Sequence, residues 1–386
     1  MRFACSFLFW SLALSCAGRG NPADAGAEAS PDGTSPADVA ADVGAPSPFL
    51  NGQRGDPGLQ SISRIAFDRA GLLYVADGES NRVVGIDLQR PGGDQTLSAP
   101  IDAFGRRVAD ALGGGIAASD IVFNDVAVDP VSHQIHVAVT RRSTREDAML
   151  RVAADGTVEL VPHTDVSFAA VGFATGVGSS VSDMVWTRAG LVLSAQHPDW
   201  TSATVVVVPV PLTHGDPARV TTTRTYHRTH VAWETMAPID RLAAFEDGGE
   251  SFVAATFTCT PFVRFRVADL SSGMMQITGE TPFDLGPGKQ VREVIVYERG
   301  GQRAIVATVY SGFTGTSFAT RVDGALLSGT AIDRVAPVLF GASETPTNTA
   351  ATRVASLDNV ALMAVLDADR AVVLRATGRL ELVPLP

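Results

Sequence analysis

One short unit recurs along this chain, and it constrains the fold more than any other feature. The clearest copy, RIAFDRAGLLYVADGESNRVVGIDL at residues 64–88, holds three apolar strands separated by two polar turns. Strands this close in sequence pair as antiparallel hairpins, and one small sheet cannot bury both of its faces alone. The units must therefore pack against one another. Further copies begin at Phe123, Val181, Asp240, Arg292 and Thr352.

The copies are close to regular in spacing. When they are aligned on the residue before the first apolar triplet, that residue recurs at intervals of roughly 60 residues. Six near-regular units of short strands are typical of radial repetition with four strands per unit. The sequence therefore predicts an all-β fold, a six-bladed β-propeller of four-stranded antiparallel blades. The aligned column consists of Arg64, Asp125, Asp183, Arg241, Glu293 and Arg353.

These units resemble NHL repeats, and the chain is similar to the six-bladed propeller group that includes the NHL and SMP-30/gluconolactonase-like proteins. The resemblance covers residues 49–386 and is clearest in the first unit, with its YVAD…NRV core. It supports the fold more than any function, because one fold hosts many functions. Two ways of closing the ring stay open. The C-terminal RLELVPLP completes the last blade alone, or residues before Ser61 add a strand to it.

The N-terminus predicts export. MRFACSFLFWSLALSCAG has an early arginine and a short apolar run, which is typical of a secretion signal. The segment LALSC resembles a bacterial lipobox, and this resemblance implies lipidation of Cys16; cleavage after Ala17 is the alternative. We expect a signal peptide over residues 1–16, a disordered Ala/Pro/Asp-rich linker over 17–48 and the propeller over 49–386. The chain is then a lipoprotein of the bacterial cell envelope, either periplasmic or on the surface.

Charge and cysteine content limit the partners. The chain carries a formal charge of −11, so nucleic acid and anionic membrane surfaces are poor partners. We expect a monomer that contacts the membrane only through a lipid anchor. Cys259 is the one cysteine of the propeller region, so no intrachain disulfide can form there.

The aligned column is the best candidate for a functional site, because the first residue of an innermost strand faces one mouth of the central channel. It mixes three arginines with three carboxylates. In a sequential ring, Arg64 would neighbour Asp125 and Arg353, and Arg241 would lie between Asp183 and Glu293. One interpretation is an ion-pair ring that joins the blades. The other is a polar mouth that binds a charged small molecule.

The resemblance to SMP-30-like enzymes implies a divalent metal such as Ca²⁺ in the channel, held by acidic and Asn ligands. The family's ligand positions fall one residue before the column. Of these positions only Asn124 and Asp240 offer good ligands, and Arg292 would repel a cation. A shift of one residue in register would bring in Asp125, Asp183 or Glu293. The six positions are Ser63, Asn124, Ser182, Asp240, Arg292 and Thr352.

Histidines offer further candidates. HQIH at residues 133–136 lies on a predicted strand, where i, i+3 side chains point to opposite faces. HRTH at residues 227–230 ends the third unit, where an edge-strand role competes with weak metal affinity. In AQHPDW, His197, Asp199 and Trp200 lie in a turn at one end of the propeller and are candidates for a ligand-binding loop.

Three functions remain compatible with the sequence. The first is a non-catalytic binding or scaffold module for an unidentified protein or small ligand, since no nucleophile motif and no nucleotide-binding motif occurs. The second is a metal-dependent lactonase or ester hydrolase, which the resemblance implies. The third is an accessory protein of a periplasmic redox system. No cofactor follows from the residues themselves.

Overall fold

Short strands make up half of the chain that the computed structural model describes, which comprises residues 48–113, 115–173, 180–196, 203–258 and 261–386. In chain order the strands are β1 Gln53–Gly55, β2 Arg64–Phe67, β3 Leu73–Asp77, β4 Arg82–Asp87, β5 Ile121–Val128, β6 Ile135–Arg141, β7 Asp147–Val152, β8 Val158–Leu160, β9 Val166–Gly172, β10 Ser180–Thr187, β11 Gly190–Gln196, β12 Ala203–Val208, β13 Arg219–His227, β14 Ala232–Glu234, β15 Ile239–Asp247, β16 Glu250–Phe257, β17 Pro261–Arg266, β18 Gln276–Thr278, β19 Glu280–Asp284, β20 Lys289–Arg299, β21 Gln302–Ser311, β22 Thr316–Asp323, β23 Ala351–Arg353, β24 Val360–Val365, β25 Arg370–Arg375 and β26 Leu380–Pro384. The α-helices of the described residues are α1 Phe104–Leu112, α2 Val267–Leu270 and α3 Ala325–Ser328.

The strands form six sheets, numbered here as blades by the chain order of their innermost strands. Blade one has the order β2-β3-β4-β9-β1, and blade two has the order β5-β6-β7-β8. Blade three contains β10 to β13 with β14 and β18 at its edge; blade four has the order β15-β16-β17-β19. Blade five contains β20 to β23, and blade six contains β24 to β26. The predicted all-β, six-bladed propeller is confirmed.

The order of blades around the ring differs from their order along the chain. Six apolar clusters each join two neighbouring blades. The pairs are blades one and three, blades one and two, blades two and six, blades three and four, blades four and five, and blades five and six. Around the ring the order is therefore two, one, three, four, five, six. The chain leaves blade one after β4, builds blade two, and returns as β9, which pairs antiparallel with β4.

The ring closes between blades two and six through the segment that links β4 to β5. Phe104 and Val108 on helix α1 are fully buried in the cluster that these two blades share. Ile101 forms a bridge with Leu380 on the edge of β26, so this linking segment contacts blade six. Residues before Ser61 instead pair as β1 with β9 on blade one. The expectation that they complete the last blade is wrong.

Every blade from two to six carries a β-bulge near the start of its innermost strand. The register shifts at Asn124, Ser182, Asp240, Arg292 and Ala361. Bulges re-aim side chains and are common beside functional sites. Here they mark the same level in successive blades, one residue before the aligned column.

The structure places five of the six column residues on innermost strands, and the sixth assignment is wrong. Arg353 ends β23, the outermost strand of blade five, where it pairs with Glu344 and with Asp358 at 2.7 Å. Leu362 takes the column position in blade six, directly after the bulge at Ala361. The sequence alignment took the residues around Arg353 as the innermost strand of blade six, whereas they form the outermost strand of blade five. Arg64 consequently neighbours Asp125 and Asp183 in the ring.

Candidate functional site

The innermost strands enclose a channel that widens at both ends. The mouth where these strands begin forms a cavity of about 670 Å³. Its polar wall includes Arg64, Asn124, Thr140, Asp147, Arg241 and Arg375. Its apolar wall consists of Phe123, Val181, Ala361, Leu362 and Leu374. A cavity of this size suits a small organic molecule, since ligand pockets measure roughly 300–1,000 Å³.

Arg64 is the central cation of this mouth. Its Nε donates a hydrogen bond to the carbonyl oxygen of Ser182 at 2.6 Å, and its Nη1 donates to the carbonyl oxygen of Asn124. It thereby connects blade one to both of its neighbours. Within the part of the chain that the structure describes, Arg64 forms no ion pair with a carboxylate. Its hydrogen-bond partners are therefore carbonyl oxygens, although the carboxylates of Asp125 and Glu293 attract its charge from beyond ion-pair distance.

The other two arginines of the mouth are neutralised. Arg241 donates from Nε to Glu293 at 3.1 Å, and its Nη2 lies 3.0 Å from the same oxygen. Arg375 donates to Glu381 at 2.8 Å. The predicted ion-pair ring therefore holds for Arg241 and Glu293, on blades four and five.

Carboxylates connect two further pairs of blades through backbone amides instead of arginines. Asp125 accepts hydrogen bonds from the amides of Val126 and of Ile65, both at 2.9 Å, and so joins blade two to blade one. Asp183 accepts from Leu242 on blade four at 2.7 Å and from the amide of Met184 at 2.9 Å. Both carboxylates line a narrower cavity of about 200 Å³ below the mouth.

Desolvation in this narrow region shifts two carboxyl groups toward the protonated form. Burial raises the pKa of Asp125 to about 6; Arg64 opposes this shift and Asp183 adds to it. Burial raises the pKa of Glu293 to about 7, against the charge of Arg241. The charge below the mouth therefore changes between pH 5 and 8, because the charged form of a desolvated acid is disfavoured.

The residues do not make a good calcium site. Asn124 and Asp240 lie on blades two and four, which are opposite each other in the ring. The Asn124 amide donates to Ile62 and Thr140, while the Asp240 carboxylate accepts from Gln290 at 3.2 Å and from Thr258 at 3.3 Å. Burial raises the pKa of Asp240, and those hydrogen bonds oppose the shift.

Calcium takes six to eight oxygen ligands, commonly with several carboxylates. Among the residues at the five bulges, Asp240 is the single carboxylate. Blade five, which adjoins blade four, has Arg292 at this position. The donor set at this level does not fit the ion that the family resemblance implies. One residue further on, Asp125, Asp183 and Glu293 line one cavity, but Asp125 and Asp183 accept hydrogen bonds from backbone amides and Glu293 pairs with Arg241.

Three candidates from the sequence cannot be placed. His197, Asp199 and Trp200 lie outside the described residues, as do Cys16 and Cys259. The pair in HQIH is separated, but the prediction that both residues lie on a strand is wrong, because His133 lies before β6 in the left-handed region with φ 58°. His133 bonds Asp94 at 3.1 Å, whereas His136 is buried with its ring centroid 4.9 Å from that of Phe67.

The opposite mouth was not anticipated from the sequence. A cavity of about 490 Å³ opens where the innermost strands end. Arg69 lies over the ring of Trp186 there, 5.7 Å from its centroid. Most of its lining residues occupy the last positions of the innermost strands, and Asp68 and Arg188 directly follow β2 and β10. The lining includes Phe67, Asp68, Arg69, Trp186, Arg188, Phe245, Glu246, Tyr297 and Glu298.

Three solved structures that resemble this chain do so at low similarity. A lignostilbene dioxygenase of Pseudomonas brassicacearum is 12% identical with a TM-score of 0.29, and the match covers 68% of this chain and 70% of that one. The Dos1 propeller is 10% identical with a TM-score of 0.33, over 83% of this chain and 66% of that one. A leech intramolecular trans-sialidase, in complex with 2,7-anhydro-Neu5Ac, is 9% identical with a TM-score of 0.34, over 88% and 68%.

At these values the similarities carry no argument about activity. No protein-family model matches the chain, and no curated protein matches its sequence. The chain is therefore a six-bladed β-propeller with a polar channel mouth, and its membership of the NHL or SMP-30 group stays a prediction. Among the described residues no helix is long and apolar enough to cross a bilayer.

Proposed function

We propose that the chain is a binding propeller that takes up a small organic anion at the channel mouth. One observation carries the proposal. Arg64 lines a cavity of about 670 Å³, and among the described residues it has carbonyl partners but no carboxylate partner. A guanidinium in such a position binds a carboxylate through paired, charge-assisted hydrogen bonds.

The apolar wall of the mouth defines the rest of the ligand. Leu362 and Leu374 are buried side chains of blade six that face the cavity, and Phe123 and Val181 contribute from blades two and three. A ligand with a carboxylate at Arg64 would place its apolar body against this wall. Pockets of this kind combine apolar contact with a few polar groups that fix orientation. The proposed ligand class is a small monocarboxylate with an aliphatic or aromatic body.

Titration calorimetry with aliphatic and aromatic monocarboxylates, each paired with its neutral amide, tests this function. The acids should bind and the amides should not. Arg64→Gln should weaken binding at least about tenfold, since a hydrogen bond to a charged group is worth about 1.5–3 kcal/mol. Arg188→Gln, at the opposite mouth, is the matched control and should bind like the wild type. Acids that fail to bind, or that bind Arg64→Gln equally well, would refute the proposal.

We also propose that the protein is exported and held at the cell envelope by a lipid on Cys16. The support is the short apolar N-terminal run, the LALSC segment and the Ala/Pro/Asp-rich stretch after it. Labelling cells with a clickable palmitate analogue should tag the wild type and leave Cys16→Ser untagged. A released, untagged wild type would support cleavage after Ala17 instead.

The alternative of a metal-dependent hydrolase receives less support from the channel, because Asn124 and Asp240 lie on opposite blades with hydrogen-bond partners of their own. Hydrolysis of lactones or esters that is lost in Asp240→Asn would favour it over the binding function. The role beside a periplasmic redox system stays a prediction.

A further inference from the structure

A histidine-rich hairpin at the edge of blade three lies apart from the residues that line the channel mouth. Strands β13 and β14 pair antiparallel there, with Thr225 opposite Glu234 and His227 opposite Ala232. Side chains two apart on a strand share a face, so His227 and Glu234 are diagonal neighbours on one face. The turn between the strands adds His230.

The three side chains converge. The Nδ1 atom of His227 lies 3.3 Å from one oxygen of Glu234, and the Nδ1 atom of His230 lies 2.6 Å from the other. One ligand atom from each residue can be chosen so that all three lie within 4.8 Å of one another. The two imidazole rings stack with their centroids 5.4 Å apart.

His227 is the unusual member of this cluster. Its side chain is fully buried. Within the described part of the chain its Nδ1 atom approaches Glu234 at 3.3 Å without hydrogen-bond geometry, and its Nε2 atom has no hydrogen-bond partner. Leaving a buried polar atom unsatisfied costs about 1–3 kcal/mol. Buried polar groups in native proteins therefore almost always have a partner.

A metal ion is a partner that fits this geometry. Ligands about 2.0–2.1 Å from a tetrahedral zinc ion are roughly 3.3 Å from one another. The His227 Nδ1 atom lies 3.3 Å from one Glu234 oxygen, as this arrangement requires. The His230 Nδ1 atom is hydrogen-bonded to the other oxygen at 2.6 Å, and it would separate from Glu234 by about 0.7 Å when both bind the ion. Imidazole nitrogens suit Zn²⁺ and similar transition metals, whereas calcium and magnesium prefer oxygen ligands.

We propose that His227, His230 and Glu234 bind one Zn²⁺ ion, with water in the fourth position. Three protein ligands with an open fourth position are the usual pattern of accessible zinc sites. Access is available, since the side chains of His230 and Glu234 are 45% and 28% exposed.

The surroundings favour metal binding by His227. Burial lowers the pKa of His227; Glu234 opposes this shift and His230 adds to it. A neutral imidazole is the form that binds a metal. Blade four holds the turn in place, because Asp284 accepts hydrogen bonds from the amide and the hydroxyl of Thr229 at 3.2 and 2.7 Å. Residues that fix ligands in this way strengthen a metal site.

Equilibrium dialysis of the full chain against ZnCl₂, followed by elemental analysis, tests the proposal. The protein should be prepared without a polyhistidine tag. We expect one equivalent of zinc and a higher melting temperature with zinc than with magnesium. His230→Ala and Glu234→Gln should each weaken zinc binding by about tenfold or more.

Two controls separate this site from others. His133→Asn removes a histidine beside Asp94, a two-residue pair that is too small for a zinc site, and zinc uptake should not change. Asp240→Asn should also leave uptake unchanged, because Asp240 belongs to the channel. Absence of zinc in the wild type would overturn the proposal, as would equal uptake by folded His230→Ala. Neither result would affect the binding function assigned to Arg64.

Discussion

Arg241 and Glu293 form the one arginine–carboxylate pair within the aligned column, with the Arg241 Nη2 atom 3.0 Å from the Glu293 carboxylate. They lie on the innermost strands of blades four and five, next to Asp183. Burial raises the pKa of Glu293 to about 7 in spite of this arginine. The carboxyl group of this pair is therefore neutral below about pH 7 and negatively charged above it.

The pH dependence of stability follows from that shift. A carboxyl group whose pKa is higher in the folded state binds its proton more tightly there, so its contribution is complete below the unfolded value of 4.5. That contribution is lost as pH rises through about 7, and its size is at most about 3 kcal/mol. Glu293→Gln keeps an oxygen for Arg241 and removes the titration. The melting temperature of Glu293→Gln minus that of the wild type should therefore increase as the pH is raised from 5 to 8.

Glu381→Gln is the control for this experiment because its pKa shift has the opposite sign. Hydrogen bonds from Arg375 and Arg379 lower the pKa of Glu381 in spite of its burial. The stability that Glu381 contributes is present above the pKa that this group has in the unfolded chain, and it is lost in acid. Parallel stability profiles for the wild type and Glu293→Gln would contradict the assigned shift.

The affinity for an anion should depend on pH in a related way. Asp125 and Glu293 lie below the mouth, with pKa values near 6 and 7. As pH falls from 8 to 5 both become neutral, and repulsion of an anion at Arg64 decreases. A sulfonate probe, which stays ionised throughout, should bind more tightly at pH 5 than at pH 8. The double variant Asp125→Asn, Glu293→Gln should bind it with little pH dependence, and an unchanged slope would exclude these two groups.

Asp183 should contribute to stability through the hydrogen bonds that it accepts from two backbone amides. Asp183→Ala leaves the amides of Met184 and Leu242 without that acceptor, which we expect to cost about 1–3 kcal/mol in urea unfolding. Asp110→Ala breaks an exposed pair with Arg106 and should cost about 1 kcal/mol or less. Equal costs would show that the bonds between blades three and four add nothing.

Closure of the ring depends on helix α1. Phe104 is fully buried in the cluster shared by blades two and six, and Phe104→Ala should lower the free energy of unfolding by about 3–5 kcal/mol. Met275→Ala, at an 88% exposed position, should change it by no more than about 0.5 kcal/mol. A small cost at Phe104 would indicate that this segment does not hold the two blades together.

Much of the fold was predictable because each innermost strand combines an apolar triplet with a preceding polar residue. That pattern located Arg64, Asp125, Asp183, Arg241 and Glu293. It failed at Arg353, since a short outer strand of blade five has the same local composition as an innermost strand. Periodicity also could not reveal the ring order, because the pairing of β4 with β9 joins segments distant in sequence.

The candidate sites were less predictable than the fold. Whether Arg64 can bind an anion depends on the distances between its guanidinium and the nearby carboxylates. These distances follow from the three-dimensional structure and are not visible in the sequence. In the sequence Glu234 lies just beyond the HRTH pair, but this spacing does not show that the three side chains share one face. Only the register of β13 with β14 brings the three residues together.

The central claim is that Arg64 binds the carboxylate of a small ligand at the channel mouth. A crystal structure with 4-bromobenzoate, which carries an anomalous scatterer, tests it most directly. The account predicts a carboxylate at Arg64 and a bromine peak against Leu362 and Leu374. A mouth without the ligand, or a peak only beside Arg69 and Trp186 at the opposite end, would contradict it.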